Sequence, residues 1–379
     1  MSIKRILSST RSFAIASLMV LAGLTVSTGS TASAARSSTF TPLTLTRANS
    51  SSVVYVVDSV KCSYVLCLRL QRTSDNGEHF TTVSLPPVPA NPESATGMLN
   101  KLVFANADVG YALIGGGYTD VGYNPPSILY ATFNGARTWH RETIAKGVGI
   151  FAFEATAAEI YAVVAHCKGA GVPCQNYRLE RSSLAARKWS GRAIPGYRGG
   201  LELNLFGAFG SRVWLDVTQS GLLDTSKDDG VNFSESPQHK LGSPGTCNLT
   251  AVSTKVLWAE CPTGMMVAFF YSHDAGAQWT TIPTSSFAGT GGGSFDPVSP
   301  TLAYLEYGPS PKRPELYRIS NSGRELTKVG KINCSMDLSI TFTDRDHGLA
   351  LCQNNGVTSS EELLRTSNGG TSWQPVRPS

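Results

Sequence analysis

One pattern, Ser/Thr-x-Asp/Asn-x-Gly-x-x-Trp/Phe, returns along this chain and sets what the chain can fold into. It occurs as Thr73-x-Asp75-x-Gly77-x-x-Phe80, Ser226-x-Asp228-x-Gly230-x-x-Phe233, Ser272-x-Asp274-x-Gly276-x-x-Trp279 and Thr366-x-Asn368-x-Gly370-x-x-Trp373. Three worn copies fill the gaps: Thr132-x-Asn134-x-Ala136-x-x-Trp139, Ser182-x-Leu184-x-Ala186-x-x-Trp189 and Ile319-x-Asn321-x-Gly323-x-x-Leu326. Their last positions lie 59, 50, 44, 46, 47 and 47 residues apart. Seven copies at such a period mean a propeller or a solenoid rather than an ordinary domain.

The residue types explain the box. Ser, Thr, Asp and Asn side chains accept hydrogen bonds from backbone N–H groups a residue or two on, closing a tight turn. Glycine at the fifth position supplies a backbone conformation that a Cβ resists. The final aromatic points inward and anchors the hairpin in apolar packing. A strand-like run such as Met266 to Tyr271 precedes each box, and another, such as Thr280 to Ile282, follows it. Asp75, Asn134, Asp228, Asp274, Asn321 and Asn368 are therefore read as turn caps rather than calcium ligands. These residues resemble the Asp-box (BNR) repeat shared by sialidases, photosystem assembly factors, sortilin-type receptors and some glucanases. The resemblance covers nearly all of the chain after residue 40.

Strand signals recur within each period. In the second repeat they cover Leu99 to Phe104, Gly110 to Ile114, Ser127 to Thr132 and Trp139 to Ile144. In the last they cover Ser339 to Phe342, Gly348 to Cys352, Leu363 to Thr366 and Trp373 to Val376. Alternating apolar positions and glycine-rich turns point to short antiparallel strands. Four strands in each of seven repeats predict an all-β fold, a single seven-bladed β-propeller over residues 40–379. Thr39 to Thr46 reads as a first strand, and the chain ends on the fourth strand of the last repeat. Little or no strand exchange is then left to close the ring, and the sequence leaves the closure open.

Residues 1–34 read as a secretory signal. Lys4, Arg5 and Arg11 precede an apolar run from Phe13 to Val26, and Ala32-Ser33-Ala34 offers a cleavage site. The apolar run is shorter than the roughly 20 residues a membrane span needs. Without this segment the chain holds 29 basic residues against 27 acidic ones, a net charge of +2. A near-neutral body does not argue for nucleic acid or an anionic membrane as partner, and neither is expected. The eight cysteines all follow the signal and fall into neighbours: Cys62 and Cys67, Cys167 and Cys174, Cys247 and Cys261, Cys334 and Cys352. In an exported chain such an even set implies disulfides, here four local ones.

The enzymatic expectation comes from the resemblance. Sialidases of this superfamily use three arginines on a substrate carboxylate, a tyrosine nucleophile paired with glutamate, and an aspartate acid/base. They also carry a Phe/Tyr-Arg-Ile-Pro motif before the first box. No such motif precedes Thr73, and the similar Tyr317-Arg318-Ile319-Ser320 sits at a box in the sixth repeat. Glycosidase chemistry of another kind needs two converging carboxylates, for which Asp120, Glu260 and Glu306 are candidates. The photosystem assembly factors are exported, non-catalytic, single seven-bladed propellers, and the same residues resemble theirs.

The chain is accordingly expected to be a secreted, monomeric, non-catalytic binding module for a glycan or a protein, without cofactor or metal. A glycoside hydrolase is the alternative. Boxes join third to fourth strands, so second-to-third loops and blade connections lie on the other face, where a ligand is expected. The longest repeat interval places its surplus in Pro86 to Gly97 and Gly115 to Pro126, both on that face. Tyr118, Asp120 and Tyr123 lie in the second of these. Lys168, Tyr197, Arg198, Tyr307, Lys312 and Arg313 fall on equivalent loops around the rim.

Overall fold

The computed structural model describes residues 41–49, 51–62, 65–87, 99–115, 118–119, 122–123, 127–144, 148–166, 174–184, 188–194, 205–216, 223–235, 247–263, 266–284, 293–307, 314–334, 336–353 and 362–376. The signal segment lies outside them. Residues 39–379 make one compact unit.

That unit is a seven-bladed propeller of four-stranded antiparallel blades, each built from consecutive strands of one repeat. Blade one takes Thr41–Arg47, Val54–Cys62, Val65–Thr73 and Thr81–Val83. Blade two takes Leu99–Phe104, Gly110–Gly115, Ser127–Thr132 and His140–Glu142. A two-stranded ribbon, Tyr118–Thr119 with Gly122–Tyr123, rises between its second and third strands. Blade seven takes Met336–Phe342, Gly348–Gln353, Glu362–Thr366 and Gln374–Val376. The strands expected from sequence match within a few residues. Both end blades are complete in themselves, so no strand is exchanged at the closure.

The box is held as its chemistry requires. Its first hydroxyl is buried, with Thr73, Thr132, Ser226, Ser272 and Thr366 each at most 3% exposed. In blade five the Ser272 Oγ accepts the N–H of Gly276 at 2.9 Å, and Asp274 Oδ1 accepts the N–H of Gln278 at 2.8 Å. Asp75, Asn134, Asp228 and Asn368 make the same bond to the residue four places on, at 2.9 to 3.0 Å. The sixth copy departs from this expectation. Ile319 has no hydroxyl, and Asn321 takes φ 49° while donating from Nδ2 to Glu325. The Asn321 carbonyl accepts the Arg324 N–H just as Asp75, Asp228 and Asn368 accept at the same place, but here the two strands pair right up to Ser320 and Glu325 and the side-chain bonds of the box are replaced.

The box glycine also serves the neighbouring blade. Gly276 has φ +89°, and a Cβ on it would lie 2.9 Å from Leu223 of blade four. Gly77 in blade one likewise admits Leu349 of blade seven. The turn that caps one blade is thus the socket for an apolar side chain of the blade before it.

A second repeated feature appears on the second strands. The residue paired with the one just before each box is Tyr55, Tyr111, Tyr161, Trp214, Trp258 and Tyr304 in blades one to six. Five of these donate to a backbone carbonyl of the next blade: Tyr55 to Ala107, Tyr161 to Gly210, Trp214 to Ala275, Trp258 to Ser299 and Tyr304 to Arg345. Tyr111 packs in one cluster with Ile150 and Ala155 of blade three. Each ring buries apolar area at a blade junction, and the five donors spend their polar tips on carbonyls.

Disulfides join Cys247 to Cys261 and Cys334 to Cys352, as expected. Cys67 and Cys174 are also disulfide-bonded, and their partners lie outside the described side chains.

Four outcomes are expected. Gly276→Ala should destabilise the protein by about 2 kcal/mol, through strain and collision with Leu223. Asp274→Ala should cost about 1 kcal/mol as a lost cap. Denaturant melts will rank the two. Burial opposes the Asp75 charge, but the His79 backbone N–H, the His79 ring and the Thr73 hydroxyl hold its pKa at about 2, below 3.8. A carboxylate lowered in the folded state stabilises above its unfolded pKa, and that stability is lost as pH falls toward 2. Asp75→Asn should flatten the fall in melting temperature between about pH 4 and 2. Non-reducing peptide mapping should recover Cys62–Cys67 and Cys167–Cys174 beside the two bridges above; a bridge between blades would contradict the local pairing.

Candidate functional site

The two faces of the ring differ. In blades two, five and seven the box turn rests on the first-to-second turn of its own blade: Gly135 N–H on Asp108 O, Ala275 N–H on Lys255 O and Gly369 N–H on Asp346 O, at 2.7 to 2.8 Å. Boxes and first-to-second turns therefore share one face. On that face the protein's own side chains cross the channel mouth. Arg47 of blade one donates to the Pro297 carbonyl of blade six at 2.9 Å and to the Phe342 carbonyl of blade seven. Asn49 donates to Ala155 O of blade three at 2.9 Å. The cavity beside them is about 170 Å³ and is lined by Arg47, Asn49, Glu154, Thr156, Phe209 and Thr250 among others.

Along the channel wall, polar side chains stitch neighbouring first strands together. Thr46 donates to Leu102 O, and Lys101 donates to Phe153 O at 2.9 Å and to Glu154 at 3.2 Å. Ser294 and Asp296 accept the N–H groups of Ile340 and Phe342. First strands have no further strand to pair with on the channel side, and these contacts satisfy part of that edge.

Toward the other face a larger cleft of about 450 Å³ opens between blades one and two. Its walls are Leu43, Val57, Leu68, Leu99 and Leu102, with Thr44, Thr46, Asn100 and Lys101. Both inner walls are bulged. One extra residue, Leu43, interrupts the pairing of the blade one first strand, and Asn100 does the same in blade two. Phe151 and Asp337 stand at the corresponding breaks in blades three and seven. The first strands of blades four and five pair without interruption over their described lengths. A bulge bends its strand and re-aims side chains, and it recurs next to functional sites. Nothing in a single sequence marks a bulge, so these positions escaped the sequence reading.

The sequence-expected ligand residues fall mostly outside what the structure describes. Asp120, Lys168, Tyr197, Arg198, Lys312 and Arg313 lie outside the described residues. Tyr118 and Tyr123 are backbone partners on one rung of the small ribbon, so the chain brings these two positions together. Tyr307 ends the second strand of blade six and is 7% exposed, packed in a cluster with Phe269 and Leu305 rather than standing on the rim.

Of the carboxylates considered for acid/base work, Asp120 lies outside the described residues, and Glu260 and Glu306 are each engaged inside their own blade. Glu306 is 4% exposed and accepts the Ser294 N–H at 3.1 Å. Burial raises the Glu260 pKa, against a hydrogen bond from Asn248, its partner across the first and second strands of blade five. Burial likewise raises Asp58, whose carboxylate meets Arg69 at 2.6 Å. Tyr317 donates to Glu315 at 2.7 Å, and its pKa is pushed up to about 12 by burial and that bond. A phenol so held is a poorer nucleophile, because its ionised form is disfavoured. Among the described residues no group of His, Cys, Asp and Glu is arranged to hold a metal ion. No described helix is long and apolar enough to cross a membrane.

No protein-family model and no curated protein matches the sequence. Solved structures share the fold. YCF48 from Cyanidioschyzon merolae is 14% identical, with a TM-score of 0.51, over 73% of this chain and 84% of that one. A YCF48 bound to D1 peptide is 14% identical, with a TM-score of 0.51, over 88% and 95%. A Mycobacterium tuberculosis puromycin-hydrolyzing peptidase is 9% identical, with a TM-score of 0.51, over 90% of this chain and 54% of that one. At such identities the likeness is one of fold alone: this chain is a seven-bladed β-propeller of the architecture those proteins use.

Proposed function

We propose that this chain is an exported, non-catalytic propeller that binds a protein ligand on the face opposite the boxes, with the cleft between blades one and two at its centre. The observation that carries this reading is the pair of bulged, leucine-lined inner strands at the cleft. Aliphatic walls favour burial of an apolar side chain. They offer few partners to sugar hydroxyls, whose burial without hydrogen bonds is costly. The ribbon that pairs Tyr118 with Tyr123 belongs to the blade two insertion on this same face. A structural neighbour, YCF48, is bound to a peptide in one of its structures, which supports a protein ligand over a glycan.

Export is supported by the disulfides, which form and persist in oxidising compartments. Residues 1–34 are proposed as the cleaved signal. The hydrolase alternative rests on the superfamily resemblance, while the buried carboxylates are engaged in structural contacts of their own blades.

The test is a screen of residues 35–379 against a peptide array, a glycan array and a panel of fluorogenic glycosides. Saturable peptide binding without turnover is expected. Leu43→Asp, and separately Tyr118→Ala with Tyr123→Ala, should each weaken binding by about tenfold or more, the scale at which central contacts act. Melting temperature should change little. Glycoside turnover would establish the hydrolase instead, and undiminished binding in both variants would remove the cleft from the site.

A further inference from the structure

The blade seven to blade one junction is unlike the other six. At the second-strand position where blades one to six carry Tyr or Trp, blade seven carries Leu349, paired with Arg365. Leucine has no polar tip, so no side-chain donor reaches from that position to a blade one carbonyl. No strand is shared across this junction either. It is therefore the one place in the ring where the chain itself does not run on from one blade to the next and the aromatic latch is also missing.

Other contacts hold it. Val54 and Val56 of blade one pack with Leu349, Leu363 and Val376 of blade seven. At the box-face rim Arg365 meets Glu78 at 3.0 Å, and Thr343 donates to Asn76 at 3.0 Å. Deeper in, Arg47 donates to Phe342 O of blade seven and, past it, to Pro297 O of blade six. It also faces Asp296 at 3.7 Å, with both side chains largely buried. Asp296 in turn accepts the Phe342 N–H. One guanidinium thus spans three blades, using the planar fork that lysine lacks.

We infer that the ring opens locally at the blade seven to blade one junction, and that Arg47 is the clasp that holds it closed. Local openings follow the least secured contacts of a fold. Here the apolar seam, an exposed ion pair, a part-buried rim bond and the Leu349 contact at Gly77 are joined by one largely buried cation that reaches across from the first strand of blade one. Removing Arg47 leaves Asp296 buried without its cation, which works against the clasp a second time.

Thiol labelling under native conditions tests this, because no described cysteine is free to compete. Val56→Cys reports the seam, and Val163→Cys, in the blade three to blade four cluster, reports an ordinary junction; both native valines are fully buried. In the otherwise unaltered chain, the thiol at 56 should label about tenfold faster than the thiol at 163, as expected for local rather than global opening. Arg47→Ala should accelerate labelling at 56 by a further factor of about ten and leave 163 unchanged. If that variant does not fold, Arg47→Lys, which keeps the charge and loses the fork, is read in its place. Equal labelling at the two positions without any Arg47 change overturns the weak seam. Equal acceleration at both, or none at 56, overturns the clasp.

Discussion

The bond on which this propeller depends is the one from the box glycine N–H to a buried Ser or Thr hydroxyl. It closes the turn between third and fourth strands, and the same hydroxyl donates to the Asp or Asn carboxamide or carboxylate two residues on. A turn so tight needs the left-handed backbone at the fifth position, and glycine there leaves a gap where a Cβ would stand. The preceding blade fills that gap with Leu223 at Gly276 and with Leu349 at Gly77. Local turn chemistry therefore carries a packing consequence: seven blades can lean on one another closely enough for the ring to close. Ala136 stands at this position in blade two and adopts φ 64°, fully buried, so the geometry persists there at the strain cost of a methyl group.

The two faces are secured by different means. Box turns lock the first face by hydrogen bonds, and the channel mouth there is crossed by Arg47 and Asn49. On the other face the loops are longer and carry no box. The cysteines lie on that side: Cys62 and Cys352 near the ends of second strands, Cys67 near the start of a third, Cys247 and Cys334 just ahead of first strands. Covalent ties there do for the loop-bearing face what hydrogen-bonded turns do for the other. Such ties reduce the freedom of segments that lack a core of their own, and a face held still while its loops vary is what ligand recognition needs.

The fold was largely legible because the box is short, local and rigid in spacing. Residues Ser272 to Trp279 carry the side-chain bonds of the box within eight positions, so the pattern survives as text. The aromatic latches were not legible, although they recur as regularly in space. From each latch to its box the chain runs between 12 and 21 residues, because the second-to-third loop differs in length from blade to blade. A feature fixed by strand pairing but separated by a variable loop has no period in sequence. The bulges at Leu43 and Asn100 are harder still, since they depend on how two strands count against each other. Asn321 shows the opposite error. It looks like a box cap, yet without the partner hydroxyl, lost to Ile319, the same residue serves a different turn.

The placement of charge argues the function further than the fold does. A hydrolytic centre on this scaffold needs carboxylates that reach a substrate while keeping pKa values apart. Here Glu306 is bound to a backbone N–H, Asp58 is enclosed by Arg69, and Asp296 is spent on holding three blades together. Each ties one piece of the propeller to another. The cleft of the proposed site is aliphatic, and its Lys101 is itself turned to Glu154 and the Phe153 carbonyl. Glu306, Asp58 and Asp296 serve contacts within and between blades, while the cleft walls are leucine and valine. That division suits recognition by burial rather than catalysis by proton transfer.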